Sequence, residues 1–202
     1  MTNKYRKSAF SLIELLAVLV ISAIVLGITL PSLNTLIKGQ SVEQAAINFG
    51  SELKAVRSYA ITSREYVALI VPTDQSISAE YLYKSYRPCI VDINNNFQFW
   101  ITDNKWEFLP AGAAIIDIDN NKTNHSGNFD GATNINNVNL SLLKDFSSPT
   151  VKGVVFKPTG QTGSRKYIVV GSANIRDGAS VDTNQINITI DQYSGRISYG
   201  NE

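Results

Sequence analysis

Glu14 is the one charged residue in an uninterrupted apolar and neutral stretch from Phe10 to Ile37. Nothing else in the chain restricts its folding as strongly. An α-helix needs roughly 20 apolar residues to cross the hydrocarbon core of a bilayer, and Phe10 to Leu30 supplies 21. Ahead of it, Met1 to Ala9 holds Lys4, Arg6 and Lys7 and no acid, a bias that keeps a segment on the cytoplasmic side. A secretory signal peptide also begins basic and turns apolar, but its small-residue cleavage site follows the apolar run. Here the small residues Ser8 and Ala9 precede it. A carboxylate at membrane depth costs roughly 2.5 to 3.5 kcal/mol. One reading leaves Glu14 near the interface, snorkelling to water. The other pairs it with a positive charge on a neighbouring subunit, the nearest being the amino terminus created by a cut between Ala9 and Phe10.

The stretch Ser8-Ala9-Phe10-Ser11-Leu12-Ile13-Glu14 resembles the class III leader and N-methylation motif of type IV pilins and type II secretion pseudopilins. The resemblance implies that a prepilin peptidase, a membrane aspartyl protease, cuts between Ala9 and Phe10 and methylates the amino group of Phe10. It implies that Glu14, fifth in the mature chain, serves assembly, and that Pro31 stands at the proline common at the twenty-second mature position. The family usually has glycine before the cut; alanine is the next smallest side chain, so slower processing is the most it implies.

Beyond the span, Val42, Ala45, Ala46, Phe49, Leu53, Val56 and Ala60 step by three and four, the apolar stripe of a helix lying on a globular domain. Glu43, Gln44, Asn48, Glu52, Lys54 and Arg57 mark the opposite face. The helix is expected from Phe10 to about Thr62, roughly 80 Å at 1.5 Å per residue, with a kink at Pro31, which removes a hydrogen bond and crowds the preceding turn.

Short β-branched or aromatic runs follow, bounded by Asn, Asp, Gly and Pro: Tyr66 to Val71, Tyr81 to Tyr86, Phe97 to Ile101, Trp106 to Leu109, Ala113 to Ile118, Val154 to Phe156, Tyr167 to Val170, Ile186 to Ile190 and Arg196 to Tyr199. Asp103-Asn104 and Ser194-Gly195 read as turns. The expected fold is α+β and pilin-like, a long N-terminal helix, transmembrane then amphipathic, packed on an antiparallel β-sheet head. Its divisions are a cleaved leader (1–9), a transmembrane helix (10–30), an amphipathic continuation (31–62) and a periplasmic head (63–202).

Lys54-Ala55-Val56-Arg57-Ser58-Tyr59-Ala60-Ile61, followed by Val67-Ala68-Leu69, is similar to the GspH/FimT family, where such a helix end leads into the first strand. Phe156-Lys157-Pro158-Thr159-Gly160 and Ser194-Gly195-Arg196-Ile197 fit that family's C-terminal features. Between these pieces, Asn94 to Asn139 holds 12 asparagines and the only histidine, His125, and reads as polar loops or an insertion. Asp117-Ile118-Asp119-Asn120-Asn121 places oxygen ligands at alternating positions, but the turn glycine and closing glutamate of a calcium loop are absent. A solvated turn is the expectation, and no metal or other cofactor is assigned.

Cys89 is the single cysteine, so no internal disulfide forms, and a buried structural thiol is expected. Catalytic motifs are missing: no Gly-x-Ser-x-Gly elbow, phosphate-binding loop, His-Glu-x-x-His or zinc cysteine pair. The whole chain carries a formal charge of +1, and loss of the leader leaves 15 basic against 17 acidic side chains. Such a balance disfavours polyanion binding. From Val151 to Glu202 six basic residues face four acidic ones, and Arg196 is followed by Ile197 and Ser198, where a Gly-Arg-x-Arg pattern of DNA-binding relatives would place a second arginine.

The resemblance therefore implies a non-enzymatic minor pseudopilin of a type II secretion system. Its partners would be the prepilin peptidase, other pseudopilins or pilins, the inner membrane and the assembly platform of the secretion system. A FimT-like minor type IV pilin of pilus assembly or DNA uptake, with Arg196 as the one candidate DNA contact, is the alternative. A plain anchored protein with a periplasmic ligand-binding head is the third reading; it predicts an uncut leader.

Overall fold

The computed structural model describes residues 12–74, 77–101, 105–121, 127, 129–138, 140, 151–172 and 184–200, the side chains of 28–39 excepted. The chain divides into two units, Met1–Ile37 and Lys38–Glu202. One helix, α1 (Leu12–Ser63), begins in the first unit and ends in the second, and carries on through Pro31 without interruption. The kink expected at Pro31 concerns a side chain outside those described, and the leader (1–9) and Phe10 are outside as well.

In the first unit the described helix is apolar on every side, with Leu12, Ile13, Leu16, Leu19, Ile21, Ile24 and Leu26 all exposed. A helix without a polar face is stable only in a core, a bundle or a bilayer. Among the described residues no helix is long and apolar enough to cross a membrane. The span expected over Phe10 to Leu30 passes beyond the described side chains at both ends.

In the second unit α1 buries the stripe read from the sequence: Val42, Ala45, Phe49, Leu53 and Ala60 are fully covered, and Ala46 and Val56 nearly so. They pack against both of two antiparallel sheets. The first contains β1 (Tyr66–Val71), β2 (Ser85–Val91), β3 (Phe97–Trp100), β4 (Glu107–Phe108), β6 (Thr133–Ile135) and β7 (Val151–Phe156) in the order β3-β2-β1-β7-β6, with β4 also on β2. The second runs β10-β9-β8-β5, from β5 (Ala113–Asp119), β8 (Lys166–Ser172), β9 (Gln185–Ile190) and β10 (Ile197–Gly200). β1 is buried on both faces. Val67, Leu69 and Val71 join the helix core, while Ala68 and Ile70 join a second core with Cys89, Val91, Ile135, Val151 and Val155. Alternation along a strand makes this division inevitable.

The first sheet curls so that its outer strands meet. Asn96 bridges Asn136, with the Phe97 amide donating to Asn136 O at 2.9 Å and the Asn136 amide to Asn95 O at 3.0 Å. An aromatic chain rims the second core: Phe97 on Trp100 (4.9 Å between centroids), Trp100 on Trp106 (5.9 Å), Trp106 on Tyr81 (6.0 Å) and Tyr81 on Phe108 (5.1 Å).

Three sequence expectations are corrected. Of Tyr81 to Tyr86 only the last two residues are strand: Tyr81–Lys84 is a turn, and β2 begins at Ser85 and runs on through Pro88. Tyr83, at φ 61°, serves as a plug, stacking on Phe129 and donating its hydroxyl to Thr73 O at 2.9 Å. Pro88 is accommodated because Arg87 and Pro88 fall between the β4 and β3 pairings on one side of β2. Within Asn94 to Asn139, β3, β4 and β5 fall on expected runs, and β6 is a strand where polar loop is expected. Finally, Asp117 to Asp119 is no solvated turn: both carboxylates are buried at the end of β5. Asp117 accepts the amides of Ile118 (2.8 Å), Gly127 (3.0 Å) and Phe129 (3.0 Å), which offsets the cost of its burial. The turn expected at Asp103-Asn104, and His125, lie outside the described residues.

Candidate functional site

Glu14 lies in the first turn of α1 and is exposed, where a carboxylate complements the unpaired amides of a helix N-terminus. Ala9 and Phe10, the expected cut and methylation site, lie outside the described residues.

At the other end of α1, Arg57 collects the scattered sequence motifs into one place. Its Nε donates to Gly160 O at 3.2 Å and its Nη2 to Ser194 O at 2.7 Å. The Lys157–Gly160 turn after β7 and the Asp191–Gly195 turn between β9 and β10 are thereby tied to the helix. The second turn is built by Asp191, which accepts the Ser194 amide and hydroxyl, both at 2.9 Å, the Tyr193 amide at 3.2 Å and Arg165 Nη2 at 3.2 Å. Those hydrogen bonds, first the Ser194 amide, hold the Asp191 carboxyl well down, from an ordinary 3.8 to about 2. Arg196 follows this turn and is exposed. Arg57 and Arg165 hydrogen-bond within the chain at the turn that precedes Arg196, so among the described residues these two guanidinium groups are not free to extend a track from Arg196.

A second feature lies beside α1: a groove of about 560 Å³ lined by Asn48, Ser51, Glu52, Ala55, Tyr86, Glu107 and Phe108. Burial, reinforced by the charge of Glu107, raises the Glu52 carboxyl above its ordinary range. Burial likewise raises the Tyr86 phenol, as do the charge and hydrogen bond of Glu107.

A third feature sits where β5 ends and β8 begins. Lys166 is buried, and its Nζ donates to Asn120 Oδ1 at 3.0 Å, to Ser164 Oγ at 2.8 Å and to Gly131 O. The Ser164 hydroxyl in turn donates to the same Asn120 Oδ1 at 2.7 Å. Burial lowers the Lys166 ammonium below its ordinary range, against the opposing charge of Asp119. The oxygen-rich stretch that invited comparison with a calcium loop thus faces the chain's own amine. Sequence reasoning missed Lys166, because its partners stand 46 and 35 residues away and no local pattern joins them. Among the described residues no group of three or more His, Cys, Asp and Glu side chains is placed to hold a metal. Cys89 is buried in the second core, and that burial pushes its thiol up to about 12. Such a thiol carries almost no thiolate at neutral pH.

Comparison with solved structures finds similarity to the minor pseudopilin EpsH from the type 2 secretion system of Vibrio cholerae, at 12% identity and a TM-score of 0.48 over 81% of this chain and 94% of that one. A second EpsH structure gives 11% identity and 0.45 over 80% and 97%. The type IV minor pilin FimU of Pseudomonas aeruginosa gives 12% and 0.46 over 80% and 89%. A comparison with curated proteins gives no match. Residues 4–30 match the family model described as the prokaryotic N-terminal methylation motif.

Proposed function

We propose that this chain is a minor pseudopilin of a type II secretion system, a structural subunit that leaves the inner membrane for a short periplasmic filament and helps drive folded cargo outward. The observation that carries this reading is the methylation motif over residues 4–30 running directly into a helix that is apolar on every side. Such a helix needs lipid before assembly and other apolar helices after it. In this reading the prepilin peptidase cuts between Ala9 and Phe10 and methylates Phe10. The chain then crosses the inner membrane once, with its N-terminus cytoplasmic and its head periplasmic. Glu14 pairs with the mature amino terminus of a neighbouring pseudopilin on the assembly platform. A role at or near the filament tip suits a minor subunit.

The second reading is a FimT-like minor type IV pilin of pilus assembly or DNA uptake. The surroundings of Arg196 weigh against its DNA-binding form, since Arg57 and Arg165 are spent on the two turns beside it, and phosphate tracking needs several free cations.

The test is the N-terminal mass of the protein from membranes of cells with and without their prepilin peptidase. A chain beginning at N-methylated Phe10 only when the peptidase is present supports the pilin-like reading. An intact Met1, or a cut after the apolar run, would sink it in favour of an anchored binding protein. Deleting the gene then separates the two systems: lost export with pili and DNA uptake unaffected supports secretion, and the reverse supports the pilin.

A further inference from the structure

The contacts of Lys166 have a chemical consequence beyond holding two strands together. An amine and a carboxamide condense to an amide when four conditions meet. The amine must shed its proton, the carbonyl must be polarised, a group must relay the proton, and water must be kept off the nucleophile. Lys166 is 5% exposed and its Nζ lies 3.0 Å from Asn120 Oδ1. The Ser164 hydroxyl donates to that same oxygen at 2.7 Å, as a donor in an oxyanion hole would. The Ser164 hydroxyl also accepts from Lys166 Nζ at 2.8 Å, so it touches both reacting groups, while the buried Asp119 carboxylate is held by the Asn120 and Asn121 amides. Holding reactants in place in this way converts an intermolecular reaction into an effectively unimolecular one.

We propose that Lys166 and Asn120 form an intramolecular isopeptide bond, with the Ser164 hydroxyl, which touches both Nζ and Oδ1, polarising the carbonyl and relaying the proton. Nζ, once deprotonated, attacks Cγ of Asn120, and the negative charge developing on Oδ1 is met by the Ser164 hydroxyl. The two protons shed by Nζ, one before the attack and one after it, end on the departing side-chain nitrogen, the Cγ–Nδ2 bond breaks, and ammonium leaves through the exposed side of Asn120. An ammonium and a carboxamide become an amide and a free ammonium ion, so atoms and charge balance and no oxidant or cofactor is consumed. Burial that disfavours the charged amine works in the same direction. The bond would fasten the end of β5 to the start of β8 and close a covalent loop around β6 and β7, strands of the other sheet. A cross-link of that span restricts the unfolded chain much as a disulfide does, in a protein whose single cysteine cannot form one internally.

Intact-mass and peptide-map spectrometry of the full chain, purified from membranes in detergent, decides the matter. The expected result is a chain lighter by the mass of one ammonia than its processed sequence requires, with a branched peptide joining the segments that hold Asn120 and Lys166. Asn120→Ala, at an exposed position, should abolish the branched peptide and the ammonia loss while the protein stays folded by circular dichroism. Ser164→Ala should slow the appearance of the cross-link. A wild-type chain at full mass, with separate linear peptides for Asn120 and Lys166, would overturn the proposal and leave Lys166 as an ammonium held by three oxygens. This outcome is independent of leader cleavage, so it can fail while the secretion reading stands.

Discussion

Arg57 holds Ser194 from across the head: its Nη2 donates to the Ser194 carbonyl at 2.7 Å, while its Nε reaches Gly160 O at 3.2 Å. One guanidinium thus joins α1 to two turns more than a hundred residues away in sequence. The fork geometry is what permits both bonds at once, and a lysine has no equivalent. Arg57→Ala is therefore expected to destabilise the head by about 2 kcal/mol, within the range for charge-assisted hydrogen bonds. Arg57→Lys should recover less than half of that. Equilibrium urea unfolding of the three proteins checks this, and full recovery by lysine would show that charge alone matters there.

Gly195 makes the same contact possible. Its φ is 63°, and a Cβ added there would collide with Gly160 O and press on Arg57 Nε. Gly195→Ala combines a left-handed backbone with this overlap, for an expected loss of about 1 to 3 kcal/mol. Because the collision falls on the Arg57 contact, the Gly195→Ala and Arg57→Ala costs should sum to more than the double variant loses. Strict additivity in a double-mutant cycle would separate the two sites.

These two residues show what was and was not legible in the sequence. The fragments around Arg57, Gly160 and Gly195 were readable as motif pieces because each is a local pattern: a helix end and two turns. That they form one contact was not readable, since nothing local links residue 57 to residue 194. The helix stripe from Val42 to Ala60 was read residue by residue, because its period of 3.6 is imposed by a single large core. β6 was invisible: Thr133–Ile135 is a three-residue strand in an asparagine-rich stretch, and it exists through pairing with β7 and closure of the sheet at Asn96 and Asn136. Asp117 looked solvated because its amide partners, Gly127 and Phe129, lie ten and twelve residues on.

Phe49 is the large anchor of the helix stripe, fully buried and set edge-on to Tyr86 at 5.1 Å between ring centroids. Truncation removes both the transfer energy and the ring contact, so Phe49→Ala should cost about 3 to 5 kcal/mol. Phe49→Leu should cost less, since it retains more of the buried volume. Thermal and chemical denaturation would test the order, and equal losses would place the value of Phe49 in its ring geometry.

Asp191 gives the head an acid-sensitive turn. Its folded pKa is depressed to about 2 from 3.8, so its contribution is fully present above the unfolded value and is lost as pH falls through the folded one. Compared with Asp191→Asn, the wild type should be more stable above about pH 4, and the gap should close as pH falls toward 2. Melting temperatures of both proteins from pH 2 to 7 measure it. A gap that stays constant across that range would mean that hydrogen-bond geometry, not charge, accounts for the turn.

Glu14 carries the prediction most exposed to failure. Its position in the first turn of an otherwise apolar helix is costly in a bilayer, roughly 2.5 to 3.5 kcal/mol at the membrane centre, and a neighbour's amino terminus would offset that cost in a filament. In the proposed pathway cleavage between Ala9 and Phe10 would precede assembly, so Glu14→Gln should leave processing intact, with N-methylated Phe10 still formed. Incorporation into filaments should fall about tenfold, matching the loss of an interaction worth about 1.4 kcal/mol. Methylation state by mass spectrometry and filament content by immunoblot of sheared fractions read the two steps separately. Normal incorporation of the glutamine variant would remove the pairing argument. Loss of cleavage would move Glu14 from assembly to recognition by the peptidase.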